Sequence, residues 1–101
     1  LGVLQDVHWS AGLFGYFPSY SLGNIYAGEL FAALGRDLPD LEASIAAGDL
    51  APIVAWLRAN IHRLCRLHAP EELIARAVGH PPGVGPLLAY LESKYAALYD
   101  L

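Results

Sequence analysis

The chain has no methionine and a single cysteine, Cys65. One cysteine excludes an intrachain disulfide and a cysteine-based zinc site, and it suits a reducing compartment, so a cytoplasmic location is expected. Cys65 itself is expected to act as small core filler. A natural reading frame begins with methionine, so the absence of one points to a chain that was processed or cut. Charge is also scarce. Charged residues make up 16% of the chain and hydrophobic ones 55%, which is too apolar for a disordered polymer and rather apolar for a small free-standing domain. A neighbouring domain or subunit covering one face is therefore expected. Positive charge is scarcer still: the formal net charge is −4, and Arg58, Arg63 and Arg66 form the one basic cluster. At helical spacing they read as a solvated helix face, and nucleic acid is not an expected partner. No apolar run approaches the length needed to span a bilayer, and no basic stretch leads into an apolar one at the N-terminus, so no membrane partner is expected. The length of 101 residues leaves room for one domain.

What is present is helical periodicity. Leu22, Ile25, Tyr26, Leu30, Ala33 and Leu34 recur at helical spacing between Pro18 and Leu34, and the spacing predicts a helix ending near Gly35. Asp40 is placed to cap a short helix through Ile45 that Gly48 closes, and Asp49 to cap a longer one running to about Leu67. Ile53, Trp56, Leu57, Ile61, Leu64 and Cys65 form the predicted buried stripe of that helix. Pro70, Glu71 and Glu72 open a further helix stopped by Gly79, with acidic side chains suited to the N-terminal end of the dipole. After a turn from His80 to Gly85, Pro86 starts a last helix with Leu87, Leu91, Lys94, Tyr95 and Leu98 on one side. No segment sustains strand alternation, so the expected class is all-α.

The first twenty residues have no clean period and mix glycines, aromatics and polar groups, a composition typical of sites. Gln5, Asp6, His8 and Trp9 are the densest cluster. In an extended backbone Asp6 and His8 share a face, so the carboxylate could fix the imidazole tautomer and aim its other nitrogen at a substrate. The same pair serves equally well to anchor a loop. Ser10 is too close in sequence to Asp6 and His8 for triad geometry. His62, His68 and His80 lack the pairing of a helical zinc site and read as helix-surface or cap residues. Gly12, Gly15, Gly23 and Gly28 follow no strand and precede no lysine, so they spell packing rather than a phosphate loop. Tyr16 and Tyr20 bracket Pro18, which sets both phenols beside a helix N-terminus where an anion is favoured; core aromatics are the competing reading.

As one string, Gly2-Val3-Leu4-Gln5-Asp6-Val7-His8-Trp9, then Gly15-Tyr16-Phe17-Pro18-Ser19-Tyr20 and Leu22-Gly23-Asn24, resembles a signature of the carboxypeptidase Taq family. Supporting matches are Trp56-Leu57-Arg58, Ile61-His62-Arg63, Pro70-Glu71-Glu72-Leu73 and Tyr90-Leu91-Glu92-Ser93-Lys94-Tyr95, so the resemblance covers essentially the whole chain. It departs at Cys65, where the family commonly has glycine. The resemblance implies a mostly helical, cytoplasmic, usually dimeric enzyme several times longer. Such an enzyme removes single C-terminal amino acids with zinc or sometimes cobalt, held by an upstream His-Glu-x-x-His helix and a later glutamate. Residues 1–101 would then be the C-terminal segment, with the signature at 2–9. This segment is expected to bind no metal itself and to be inactive alone, with peptide C-termini as substrate and the remainder of the parent enzyme as partner. By the same resemblance, His8 and Tyr20 are the expected catalytic residues and Tyr16 and Gln5 the substrate-binding ones. Asp6 would orient His8, and Trp9 would support it. The alternatives from other classes are a helical domain that binds peptide termini without catalysis and a dimerisation module.

Overall fold

The computed structural model describes residues 6–101. Five α-helices follow one another, and no strand occurs among the described residues: α1 (Phe17–Asp37), α2 (Leu41–Ala46), α3 (Ala51–Asn60), α4 (Pro70–Val78) and α5 (Gly85–Tyr99). Proline stands in the first turn of α1, α3, α4 and α5, where its missing N–H costs little. α4 ends as its sequence dictates, on Gly79 at φ 91°, whose N–H reaches the Ala75 carbonyl.

The core is small and sits where α1, α2, α3 and α4 meet. Ala33 and Leu34 of α1, Leu41 of α2, Trp56 of α3 and Ile74 and Val78 of α4 are buried there, flanked by Tyr26, Leu30, Ile53, Leu57 and Ile61. Polar bonds fix the same junction. The Trp56 indole donates to the Asp37 carboxylate at 2.8 Å, and the Arg36 guanidinium donates to the Val78 carbonyl at 2.9 Å. Both satisfy groups that would otherwise be stranded at the edge of the core.

α5 is held differently. It has no buried residue and meets α1 at Gly28, where an added Cβ would stand 3.0 Å from the Leu87 backbone. Phe31 packs edge-on against Tyr90 with ring centroids 6.0 Å apart. The radius of gyration is 16.5 Å, against about 13 Å for a compact domain of this length, and Leu67, Leu88, Leu98 and Tyr99 lie open to solvent. No described helix is long and apolar enough to cross a membrane.

Three expectations change. α3 stops at Asn60 rather than near Leu67, and a 3-10 turn over His62–Leu64 follows. Asn60 turns its side-chain amide back onto the Trp56 carbonyl at 2.9 Å, Ile61 departs to φ −119°, and Arg66 adopts φ 74°. An asparagine and a β-branched residue in succession favour that exit. Cys65, beyond the break, is exposed rather than core filler. The caps also differ: the Asp40 side chain bonds no amide, and Leu50 rather than Asp49 is the residue at the N-cap of α3, Asp49 receiving the Ala51 N–H at 3.3 Å.

Candidate functional site

The polypeptide before α1 folds into successive turns that bring His8 onto the first turn of the helix. Ala11 N–H bonds the Val7 carbonyl at 2.9 Å, Leu13 N–H the His8 carbonyl at 2.8 Å, and Tyr16 N–H the Leu13 carbonyl at 3.3 Å. Gly12 and Gly15 sit at φ 75° and 78°, a region that side-chain-bearing residues rarely enter, so these two glycines are what lets the path reverse. The Ser10 hydroxyl donates to the Val7 carbonyl at 3.0 Å, which gives it a turn-closing part.

His8 is then enclosed by rings. It stacks on Tyr16 at 5.2 Å and 24°, packs against Phe17 at 4.5 Å, and meets Tyr20 edge-on at 5.8 Å. Its Nε2 lies 3.2 Å from the Tyr20 hydroxyl. Trp9 extends the cluster, 5.8 Å from Phe14 and 5.7 Å from Phe17. Tyr16 and Tyr20 contact each other at 5.4 Å, one turn apart at the N-terminus of α1, with no acidic residue in its first turn. Helix amides and the dipole make this a favourable place for negative charge.

Protonation follows from the packing. Desolvation among the rings, then the neighbouring Tyr16 phenol and the Asp6 carboxylate, raise the Tyr20 phenol above its ordinary 10.0. At neutral pH it stays an O–H donor. His8 Nδ1 is shielded from solvent and has no hydrogen-bond partner among the described residues. The Asp6 carboxylate makes no hydrogen bond to it, so the Asp6–His8 contact read from the sequence is not formed here. An unsatisfied buried nitrogen costs about 1–3 kcal/mol, and such groups concentrate where a partner or a reaction is still to come.

The structure thus brings His8, Trp9, Tyr16 and Tyr20 into one cluster and places Asp6 at its edge, while Gln5 lies outside the described residues. Phe14 and Phe17 were missed by the sequence reading. Phe17 was legible as the residue between Tyr16 and Pro18 on the entry turn, whereas Phe14 had no periodic signal. His62, His68 and His80 do not join the cluster. His68 sits 3.3 Å from Glu72, and His80 3.6 Å from Glu29. No group of three or more potential ligands capable of holding a metal ion occurs among the described residues. A separate, mostly apolar cleft of about 330 Å³ lies between α1 and α5, lined by Asn24, Ala27, Gly28, Phe31, Leu87 and Tyr90.

A helix N-terminus dressed with two phenols and an aromatic-caged imidazole defines a candidate anion- or carbonyl-binding wall in an all-helical protein. The profile of the carboxypeptidase Taq (M32) metallopeptidases matches residues 1–95, and the chain belongs to that family. It is 50% identical over 98 residues to thermostable carboxypeptidase 1 of Thermus thermophilus, covering 97% of this chain and 19% of that protein. With carboxypeptidase 1 of Bacillus subtilis the identity is 43% over 100 residues, 99% of this chain and 20% of that one. The crystal structure of the M32 carboxypeptidase from Deinococcus radiodurans R1 superposes with a TM-score of 0.89 at 42% identity, over 98% of this chain and 20% of that chain. The chain therefore spans about a fifth of the length of these relatives. The family is one of metallopeptidases, and the described residues offer no cradle that fits a metal.

Proposed function

We propose that this chain forms one wall of the active site of a metal-dependent carboxypeptidase that removes single C-terminal amino acids from peptides. His8 and Tyr20 donate hydrogen bonds to the substrate carbonyl as it becomes an oxyanion. Tyr16 and Gln5 bind the peptide end, Trp9 walls the imidazole, and Asp6 orients His8 once the surrounding protein is in place. The metal, zinc or cobalt, is held by residues of a longer polypeptide, as is the group that activates water. The reading carries with it a cytoplasmic location, a homodimer and inactivity of these residues alone.

The observation that carries the reading is the His8 Nε2 to Tyr20 hydroxyl contact of 3.2 Å beside the N-terminus of α1. A neutral phenol and an imidazole in contact can redistribute one hydrogen between themselves and a substrate oxygen, with no rearrangement of the helix that carries them. That Nδ1 has no hydrogen-bond partner among the described residues supports it further, since an imidazole serving merely to anchor this turn would have that nitrogen bonded within it.

The test is His8→Ala in the full-length protein. Loss of one oxyanion donor lowers kcat by about a hundredfold to a thousandfold, with KM, bound metal and melting temperature little changed. Near-normal kcat with a lowered melting temperature rejects the catalytic part of the reading, and loss of bound metal rejects the assignment of the ligands to other residues.

A further inference from the structure

Glu29 is the buried acidic side chain of the described residues, with 2% of its surface exposed. It sits on the apolar stripe of α1, between Tyr26 and Ala33, one residue after the Gly28 crossing. Its Oε1 accepts the Gly83 N–H at 2.8 Å, across 54 residues of sequence. Its Oε2 lies 3.6 Å from His80 Nε2, too far for a hydrogen bond. Among the described residues the hydrogen bond of the Glu29 side chain is therefore the one to Gly83, and a buried acceptor is costly to leave unmatched.

The segment it grips has little else to hold it. From His80 to Leu87, Gly83 supplies the backbone N–H that finds a hydrogen-bond acceptor among the described residues. α5 starts at Val84 without a side-chain cap, has no acidic residue in its first turn and buries none of its residues. Apolar burial therefore does little to locate it. Pro81, Pro82 and Pro86 restrict the backbone on both sides of Gly83, so a fixed point at Gly83 carries over to Leu87, four residues on.

We propose that Glu29 is a positioning residue for α5: its buried oxygen fastens the residue ahead of the α5 N-cap to α1 and so sets where the two helices cross. The crossing is fixed at two neighbouring points of α1. One is steric, because Gly28 admits the Leu87 backbone where a Cβ would stand 3.0 Å from it. The other is polar and lies on the next residue. The steric point permits close approach but does not choose the register; the Gly83 bond chooses it, bringing Leu87 onto Gly28 and Tyr90 onto Phe31. Gly28, Phe31, Leu87 and Tyr90 also line the apolar cleft between the helices, so the cleft takes its shape from the same bond. The bond needs a side-chain oxygen at position 29, which a carboxamide supplies as well as a carboxyl group.

The experiment is residue-resolved amide hydrogen exchange at constant pH on the full-length protein and two variants. Glu29→Met keeps the length of the side chain and deletes the acceptor; Glu29→Gln keeps an oxygen for Gly83. In Glu29→Met the amides of Gly83, Leu91 and Ala96 should exchange about tenfold faster, the scale of one lost hydrogen bond, while those of Trp56 and Ile74 in the α1–α4 core hold their rates. In Glu29→Gln all five should stay near the unmodified protein, a rescue that a merely space-filling side chain would not need. Unchanged exchange in α5 of Glu29→Met, equal acceleration in both variants, or equal acceleration of Trp56 and Ile74 overturns the proposal. Should Glu29→Met fail to fold, the unmodified protein still decides: Gly83 should be protected and open together with Leu91 and Ala96 as denaturant is added. A Gly83 amide that exchanges unprotected, or opens independently of α5, overturns it as well.

Discussion

The two ends of α1 are built on opposite rules. At the C-terminal end Ala33 and Leu34 are buried, and the polar groups around them are matched: Trp56 with Asp37, Arg36 with the Val78 carbonyl. At the N-terminal end the rings of Trp9, Phe14, Tyr16 and Tyr20 are each about half exposed or more, and the His8 imidazole holds a shielded nitrogen without a partner among the described residues. One end minimises its own free energy. The other is left incomplete, with donors and aromatic faces presented outward, as expected of a surface whose partner is a substrate or another part of a longer protein. The comparison teaches that a matched core and an outward-facing aromatic cluster are separated along a single helix of 21 residues, so substitutions at its two ends should have different readouts.

The largest effect should come from Trp56→Ala. It removes a buried ring and leaves the Asp37 carboxylate without its donor, and the expected loss is about 3–5 kcal/mol in a denaturant titration. Turnover of the molecules that remain folded should be unchanged; a fall in kcat as large as that for His8→Ala would break the division between the two ends. Gly28→Ala comes next. The new Cβ would meet Leu87 backbone at 3.0 Å, and backbone cannot yield as a flexible side chain does, so α5 must move away at a cost of about 1–3 kcal/mol. A crystal structure of the variant with α5 unmoved would refute that account of the crossing.

Tyr20→Phe sharpens the comparison from the other side. It keeps the ring among its neighbours and deletes the hydroxyl, so the melting temperature should hold while kcat falls by about a hundredfold. The pH dependence has a definite sign. Because ring packing, Tyr16 and Asp6 lift the Tyr20 phenol above 10.0, its proton is retained through the neutral and mildly alkaline range and lost only above that. The ratio of wild-type to Tyr20→Phe activity should therefore stay constant between about pH 6 and 9 and shrink only at higher pH. A ratio that collapses near neutrality would remove Tyr20 from the donor set. The smallest effect is expected at Arg66→Gly. Arg66 holds φ 74°, which disfavours a residue with a Cβ, so glycine should be neutral to stabilising by at most about 1 kcal/mol in a thermal melt.

Much of this was legible in residues alone. The starts at Pro18, Pro70 and Pro86 and the stops at Gly48 and Gly79 all fall within a residue or two of helix ends, because proline and glycine act through their own backbone geometry and need no distant partner. The aromatic and polar crowding of His8, Trp9, Tyr16 and Tyr20 likewise marked where a side-chain cluster would form. The end of α3 was not legible in the same way. Its apolar stripe continues to Leu64 and Cys65, and periodicity alone carried the helix on, whereas the Asn60 side chain competing for the Trp56 carbonyl ends it.

The sequence by itself determined an all-helical chain, the order and approximate ends of its helices, and the family to which it belongs, since these rest on short-range hydrogen bonding and on a contiguous signature. Only the tertiary structure decided which polar groups meet. The Tyr20 hydroxyl, rather than the nearby Asp6 carboxylate, faces the His8 imidazole, across 12 residues. Glu29 reaches Gly83 across 54. Cys65, apolar in pattern, ends up in solvent. Contacts at those separations depend on how helices cross and how closely their backbones approach, at Gly28 and Leu87 above all, and a one-dimensional pattern of residue types does not encode a crossing distance.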